Sequence, residues 1–314
     1  MKCSKCGNTI EIGDRFCEEC GTPAMPKATG GCEKCGASVE EIDPEGFCSQ
    51  CGFRQEIQQT NNFEILLSPN LAGVSHRGLK HHRNEDYLAC ARVGTSVYVL
   101  VVCDGVSSSA SPDLAAKVAA ESACRALERG VRGTNLQKEI KLAIAEAMTA
   151  VSAIPYNVTT DIDPPSTTIV AAVVVDNTAT IAWLGDSRAY WISPNSSRQL
   201  TRDHSWFYDV VLSGEMTESE AKKSPHVHAI TRWLGADAGN VEPSIVNFEI
   251  PGYGYLLLCT DGLWNYTPEV SELQMLVNPD IDAITVAQKL IEFACLSGGH
   301  DNITVAVLSL RRKK

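Results

Sequence analysis

The sequence predicts an α+β layered sandwich preceded by two small four-cysteine modules. Strand-like runs group with strands and helical patterns with helices, instead of alternating as a wound βαβ sheet requires. The first 52 residues repeat a cysteine-pair unit and hold too few apolar residues for a core. From about Phe63 the composition changes to apolar runs and amphipathic stretches.

The repeat comes first along the chain. Cys3, Cys6, Cys17 and Cys20 form C-x2-C-x10-C-x2-C, and Cys32, Cys35, Cys48 and Cys51 form C-x2-C-x12-C-x2-C. A Gly follows each pair, and a Phe precedes the second pair of each unit. Two C-x2-C knuckles place four thiolates tetrahedrally about zinc, so the spacing predicts two closed, structural zinc sites over 1–22 and 30–52. The segment resembles the zinc-ribbon pairs of bacterial regulatory proteins. A redox role for the C-x-x-C pairs is the alternative. The start M-K-C-S-K-C-G has no apolar segment behind it, which predicts a cytoplasmic protein whose thiols stay reduced. The remaining five cysteines stand singly in apolar surroundings and read as small buried hydrophobes.

A polar linker, 53–62, leads to the large domain, expected over 63–312. Strands are expected at Ser96–Cys103, Thr167–Asp176, Thr180–Leu184, Arg188–Ile192, Tyr255–Thr260 and Asn302–Leu310. A helix is expected from a Ser111 cap with Pro112 at its first position to about Arg129. Further helices are expected over about Asn135–Val151, Pro268–Val277 and Ile281–Leu296. No apolar stretch is long enough to span a bilayer.

Composition excludes several function classes. The formal charge of −11 argues against nucleic acid or anionic lipid as a general partner, because such affinity rests on Lys and Arg neutralising phosphates. The cysteine-rich segment itself carries nine acidic against six basic side chains from 1 to 55, which favours a protein partner for it over DNA. The closing run Arg311, Arg312, Lys313 and Lys314 reads as a solvated tail. No Gly-rich phosphate loop of the Walker or Rossmann type is present.

Four short acidic motifs mark the large domain: Arg83-Asn84-Glu85-Asp86, Cys103-Asp104-Gly105, Thr260-Asp261-Gly262 and His300-Asp301-Asn302. Singly, each reads as a turn, since Asp bonds its own backbone and Asp-Gly favours turns. Together they place several carboxylates at strand rims. Converging carboxylates repel one another, and a divalent cation removes that cost. Oxygen ligands without His or Cys suit magnesium or manganese. Two such ions suit hydrolysis of a phosphate ester by in-line attack.

The motifs, in their order over about Phe63 to Leu310, resemble the metal-dependent protein phosphatases, also called PPM or type 2C. Supporting runs are Ser166-Thr167-Thr168, Gly185-Asp186-Ser187-Arg188, Leu200-Thr201-Arg202-Asp203-His204-Ser205 and Ile230-Thr231-Arg232-Trp233-Leu234-Gly235. The resemblance implies a four-layer α-β-β-α sandwich of two antiparallel sheets. It also implies removal of phosphate from phosphoserine and phosphothreonine in proteins, by attack of water or hydroxide held between two manganese or magnesium ions. By resemblance, Asp104 bridges both ions and the Gly105 carbonyl lies beside it. Asp261 and Asp301 complete the first site, Glu85 serves the second with Asp86 as its neighbour, and Asp186 serves a third, weaker site. Asn302 would support the site, and Ser205 to His228 would form its flap.

Two departures are visible. Where many members have a phosphate-binding Arg, this chain has His81, with Lys80 and Arg83 nearby. After Asp104-Gly105, where members carry His or Met-Gly-Gly, it has Val106-Ser107-Ser108. His81 or His82 would then protonate the leaving oxygen, unless water does. The expected function is a signalling phosphatase acting on phosphorylated proteins, with the zinc modules docking a partner or regulating the enzyme. A silent scaffold of the same fold and a two-metal phosphodiesterase are the alternatives.

Overall fold

The computed structural model describes residues 31–32, 34–38, 41, 47–53, 62–131, 135–157, 162–277 and 281–310. Cys3, Cys6, Cys17 and Cys20 lie outside the described residues, as do the linker from 54 to 61 and the basic C-terminal run. The chain divides into two compact units, Met1–Gln59 and Thr60–Lys314.

The larger unit begins with four strands, β1 (Asn62–Ser68), β2 (Leu71–His76), β3 (Asp86–Val93) and β4 (Val97–Asp104). Helices α1 (Pro112–Gly130) and α2 (Leu136–Ser152) follow. Next come β5 (Ser166–Thr167), β6 (Ile169–Val175), β7 (Thr178–Leu184), β8 (Arg188–Ile192) and β9 (Arg198–Gln199). Short helices α3 (Trp206–Leu212) and α4 (Glu218–Ala221) precede β10 (Leu234–Gly235), β11 (Ser244–Glu249) and β12 (Gly254–Cys259). Helices α5 (Asp261–Trp264), α6 (Val270–Leu276) and α7 (Ala283–Leu296) lead to β13 (Ile303–Leu310).

Two antiparallel sheets result, ordered β1-β2-β13-β12-β8-β9 and β11-β7-β6-β4-β3, with β5 and β10 paired separately. Their central strands are apolar on both faces because both faces are covered, so β6 reads Ile-Val-Ala-Ala-Val-Val-Val without alternation. β6 and β7 are joined by the two-residue turn Asp176-Asn177, with Asp176 at φ 51°. Such tight turns favour short polar residues, which tolerate the left-handed region.

Three apolar layers fill the space between four structural layers. Leu88, Leu100, Val170, Trp191, Leu256 and Leu308 belong to the layer between the sheets. The helix pair α1 and α2 covers the five-stranded sheet, using Ala115, Ala116, Ala119, Ala120 and Ala123 of α1. Alanine at these helical spacings lets the helix approach the sheet closely. The second outer layer joins α6 and α7 to the six-stranded sheet through Leu273, Val286, Leu290 and Ile291. Each large buried aliphatic side chain contributes about 1.5–3 kcal/mol. The α+β class and the paired antiparallel sheets agree with the sequence expectation.

One local expectation fails. Ser111 precedes α1, but it lies at φ 49° and its side chain makes no capping bond. The left-handed turn there feeds Pro112 against Gly105, where a Cβ would overlap the Pro112 carbonyl. Close packing of the helix start on the Asp104-Gly105 rim overrides the local capping preference.

The topology gathers the acidic motifs. β3 starts and β4 ends at the same edge, with Asp86 opposite Asp104 in the register. β2 ends where β13 starts, His76 opposite Ile303. β12 ends at Cys259, one residue before Thr260, and β7 ends at Leu184, just before Gly185-Asp186.

Candidate active site

The site is built on neutral hydrogen bonds that fix the backbone around the acids. Asn302 occupies one hub: its Oδ1 accepts from the Glu85 N–H (2.7 Å), and its Nδ2 donates to the carbonyls of Arg77 (2.8 Å) and Arg83 (3.0 Å). A second hub joins the sheets. Thr260 Oγ1 donates to Asp86 Oδ2 (2.8 Å) and accepts from the Thr304 N–H (3.0 Å), while Ser75 and Thr304 hydroxyls meet at 2.7 Å. At the third, the Asp104 N–H donates to Thr168 Oγ1 (3.1 Å), and the Asp104 carbonyl accepts from the Thr168 N–H and Thr167 Oγ1 (2.8 Å each). Gly262 is required by the close approach of the Asn302 carbonyl, which a Cβ would overlap.

Asp86, Asp104, Asp186, Asp261 and Asp301 are brought together, as their mutual electrostatics record. Burial first, then Asp86, Asp261, Asp186 and Asp301, holds the Asp104 carboxyl well above its ordinary range. Burial raises Asp86 likewise, opposed by hydrogen bonds with Thr260 and Thr304 and reinforced by Asp261 and Asp301. Asp186 is raised by burial, then by Asp261 and Asp203. Asp261 is pushed up to about 7 by burial and Asp301, against hydrogen bonds with Asp104, Asn265 and the Gly262 backbone. The acids are surrounded by protein yet open to solvent at the mouth, where the Asp301 side chain keeps 46% of its exposure.

Glu85 is placed differently from its neighbour. Its Oε1 accepts from Arg83 Nε (2.8 Å) and its Oε2 from the Ser107 hydroxyl (2.6 Å), so both oxygens are engaged at the rim. His81 Nε2 lies 3.3 Å from Asp301 Oδ1. His82 is exposed and forms no ion pair with another described residue.

The residues fit a hard divalent cation. Asp86 Oδ1 is buried without a hydrogen-bond partner, and burial with the nearby Asp261 and Asp301 raises the carboxyl. Ionising a buried carboxyl in that position is costly, and a cation is the partner that removes the cost. Apart from His81 beside Asp301, the donors gathered here are carboxylate oxygens, which suit magnesium or manganese. They are spread more widely than a single coordination sphere. Among the described residues, the group of three or more His, Cys, Asp or Glu whose ligand atoms all fall within 4.8 Å is the cysteine quartet. A set shared between ions does not need to close on one point.

Groups that the sequence reading did not single out hold the acids in place. Arg188 makes a two-pronged ion pair with Asp203 (2.9 and 2.7 Å) and lies 3.6 Å above the Trp264 ring. Trp264 Nε1 in turn donates to the Asp186 carbonyl (3.0 Å). Thr260 precedes Asp261 and Trp264 follows it by three residues, but their contacts to Asp86 and Asp186 are long-range and leave no local signal. The segment expected as a flap is closed at its base, where Ser205 bridges Ile230 and Trp206 N–H donates to the Ala229 carbonyl (2.8 Å).

In the smaller unit, Cys32, Cys35, Cys48 and Cys51 converge, with Sγ–Sγ separations of 3.6 Å for Cys32–Cys51 and for Cys35–Cys48. Zinc–sulfur bonds of ~2.3 Å in a tetrahedron require sulfurs roughly 3.8 Å apart, so the quartet fits zinc. Desolvation opposes ionisation of Cys32, yet backbone hydrogen bonds from Cys35 and Lys34 bring its thiol down to about 6. Against a backbone hydrogen bond from Ala37, the neighbouring thiols push Cys35 up to about 12, so the crowded quartet needs a cation to ionise in full.

Comparison with known proteins identifies the family to which this acidic sandwich belongs. A family model described as Protein phosphatase 2C matches residues 72–294, and the chain belongs to that family. The serine/threonine phosphatase stp of Listeria welshimeri serovar 6b is 30% identical over 238 residues, spanning 74% of this chain and 92% of that protein. The protein phosphatase PhpP of Streptococcus pneumoniae is 35% identical over 147 residues, 47% of this chain and 59% of that one. Among solved structures, Stp1 from Staphylococcus aureus superposes with a TM-score of 0.67 at 25% identity, covering 80% of this chain and 94% of that one. The catalytic domain of PstP in complex with two manganese ions gives 0.60 at 25% identity, covering 79% and 98%. The chain is a protein serine/threonine phosphatase, which selects that reading over a phosphodiesterase. Among the described residues, no helix is long and apolar enough to cross a membrane.

Proposed function

We propose that the aspartate cluster holds two manganese or magnesium ions for hydrolysis of phosphoserine and phosphothreonine in proteins. In this reading Asp104 and the Gly105 carbonyl would serve both ions, Asp261 and Asp301 the first, Asp86 and Glu85 the second, and Asp186 a third. Such ions supply Lewis-acid activation of water and neutralisation of phosphoryl charge. The protein's own groups do the rest. Asn302 and Thr260 fix the acids, and His81, whose Nε2 lies 3.3 Å from Asp301 Oδ1, would give a proton to the departing ester oxygen. The observation that carries the reading is the buried, partnerless Asp86 oxygen within a cluster of mutually repelling acids. Phosphate release from a phosphothreonine peptide by the purified protein tests it. Release with manganese and none with chelator is the expected result; equal release under both conditions would sink the metal reading.

The cysteine quartets are proposed as two structural zinc sites in 1–52, joined by the 53–62 linker to a catalytic domain over 63–312. Support comes from the converged second quartet and from the repeated spacing of the first. Their acidic balance favours docking of a protein partner. Metal analysis of the purified chain is expected to find two zinc ions per molecule, and a zinc-free folded protein would refute this.

A further inference from the structure

The segment between β2 and β3 sets five basic side chains, Arg77, Lys80, His81, His82 and Arg83, within seven residues of an otherwise acidic chain. It is held tightly against the site. Asn302 Nδ2 donates to the carbonyls at both its ends, Arg77 (2.8 Å) and Arg83 (3.0 Å). In its middle, the Leu79 N–H donates to the Gly299 carbonyl (2.7 Å). Gly78, at φ 73°, abuts the Asp301 carbonyl so closely that a Cβ would overlap it. The backbone that carries the bases is therefore fixed beside Asp301.

Arg83 is paired with Glu85 (2.8 Å), and His81 Nε2 lies 3.3 Å from Asp301 Oδ1. Arg77, Lys80 and His82 form no ion pair with another described residue, and Lys80 and His82 are exposed. The chain as a whole, with a formal net charge of −11, repels an acidic peptide. The two cations Arg77 and Lys80 reverse that field locally, where the residues flanking a bound phosphoserine or phosphothreonine must pass.

Resting on the phosphatase reading above, we infer that residues 77–83 form a docking rim that selects phosphopeptides with acidic residues flanking the phosphorylated position. Carboxylates on the substrate pair with Arg77 and Lys80 at the rim. Such solvent-exposed pairs act on recognition more than on the chemical step, so selection falls on KM more than on kcat.

The test uses the full-length protein with manganese and three substrates: p-nitrophenyl phosphate, a phosphothreonine peptide flanked by Asp and Glu, and the same peptide flanked by Lys. The acidic peptide is expected to exceed the basic one in kcat/KM by about tenfold at low salt, through KM. The difference is expected to shrink as the Debye length falls from ~10 Å at 0.1 M to ~3 Å at 1 M. Lys80→Glu is expected to lower the acidic-to-basic ratio by about fivefold or more. That ratio is read within one enzyme, so a general loss of activity does not move it. Equal kcat/KM on the two peptides, with p-nitrophenyl phosphate hydrolysed, would overturn the rim. So would a Lys80→Glu loss shared equally by all three substrates, which would mean that the cations serve the phosphoryl group alone. Failure to hydrolyse any of the three would overturn the phosphatase reading and the rim with it.

Discussion

Asp104→Asn is expected to lower turnover on a phosphothreonine peptide by on the order of a thousandfold, while the protein stays folded. The fold is expected to survive because the hydrogen bonds that locate residue 104 run through its backbone. Its N–H donates to Thr168 Oγ1, and its carbonyl accepts from the Thr168 N–H and Thr167 Oγ1. The amide keeps the shape of the side chain and removes one negative charge from a cluster in which Asp86, Asp261, Asp186 and Asp301 all oppose ionisation of Asp104. In chelator the variant should therefore melt at or above the wild-type temperature. With manganese it should lose activity because the carboxylate proposed to be shared between two ions has gone. Turnover within tenfold of wild type would remove Asp104 from the centre of the site.

The second large effect is on stability. Without metal, the site's contribution to stability is expected to fall as pH rises. Asp86, Asp104 and Asp186 are held well above the ordinary carboxylate range by burial and mutual repulsion, and Asp261 is raised to about 7. Above pH ~4 the unfolded chain has released these protons while the folded chain still holds them. Between pH ~4 and 7 the folded state therefore binds more protons, and stability declines with rising pH through that window and beyond. Bound manganese compensates the same charges but must displace the same protons. Its stabilising effect should accordingly be larger at pH 8 than at pH 5.5, by about 5 °C or more in melting temperature. Thermal melts with manganese or chelator at the two pH values check this. A manganese shift that is equal at both, or larger at pH 5.5, would argue that these acids are not the ones the metal meets.

The sequence carried the parts of this structure whose causes are local. The β-branched run that became β6 and the aromatic run Arg188–Ile192 stand where they were expected, since such strands announce themselves by composition. β2 does not. It reads Leu-Ala-Gly-Val-Ser-His, and its Gly73 lies where a Cβ would crowd Leu88 (2.7 Å) and the Val305 carbonyl (3.0 Å). That need for a glycine comes from strands β3 and β13, distant in sequence. The neighbours Glu85 and Asp86 make the same point at the site. Adjacent residues at a strand start point to opposite faces, so only the start of β3 at Asp86 decides which acid turns inward between the sheets. Asp86 meets Thr260 there, while Glu85 turns to Arg83 and Ser107. The acidic motifs were legible as a set, but the Thr260 and Asn302 hubs that position them depend on pairings only the folded chain shows.

The most direct test of the central claim is the number of manganese ions bound per chain, measured by equilibrium dialysis on the wild-type protein and on Asp104→Asn. At least two saturable manganese sites, with the pair lost in the variant, is the result expected from an aspartate cluster organised around Asp104. Absence of saturable binding in the wild type, or binding left unchanged by Asp104→Asn, would contradict it.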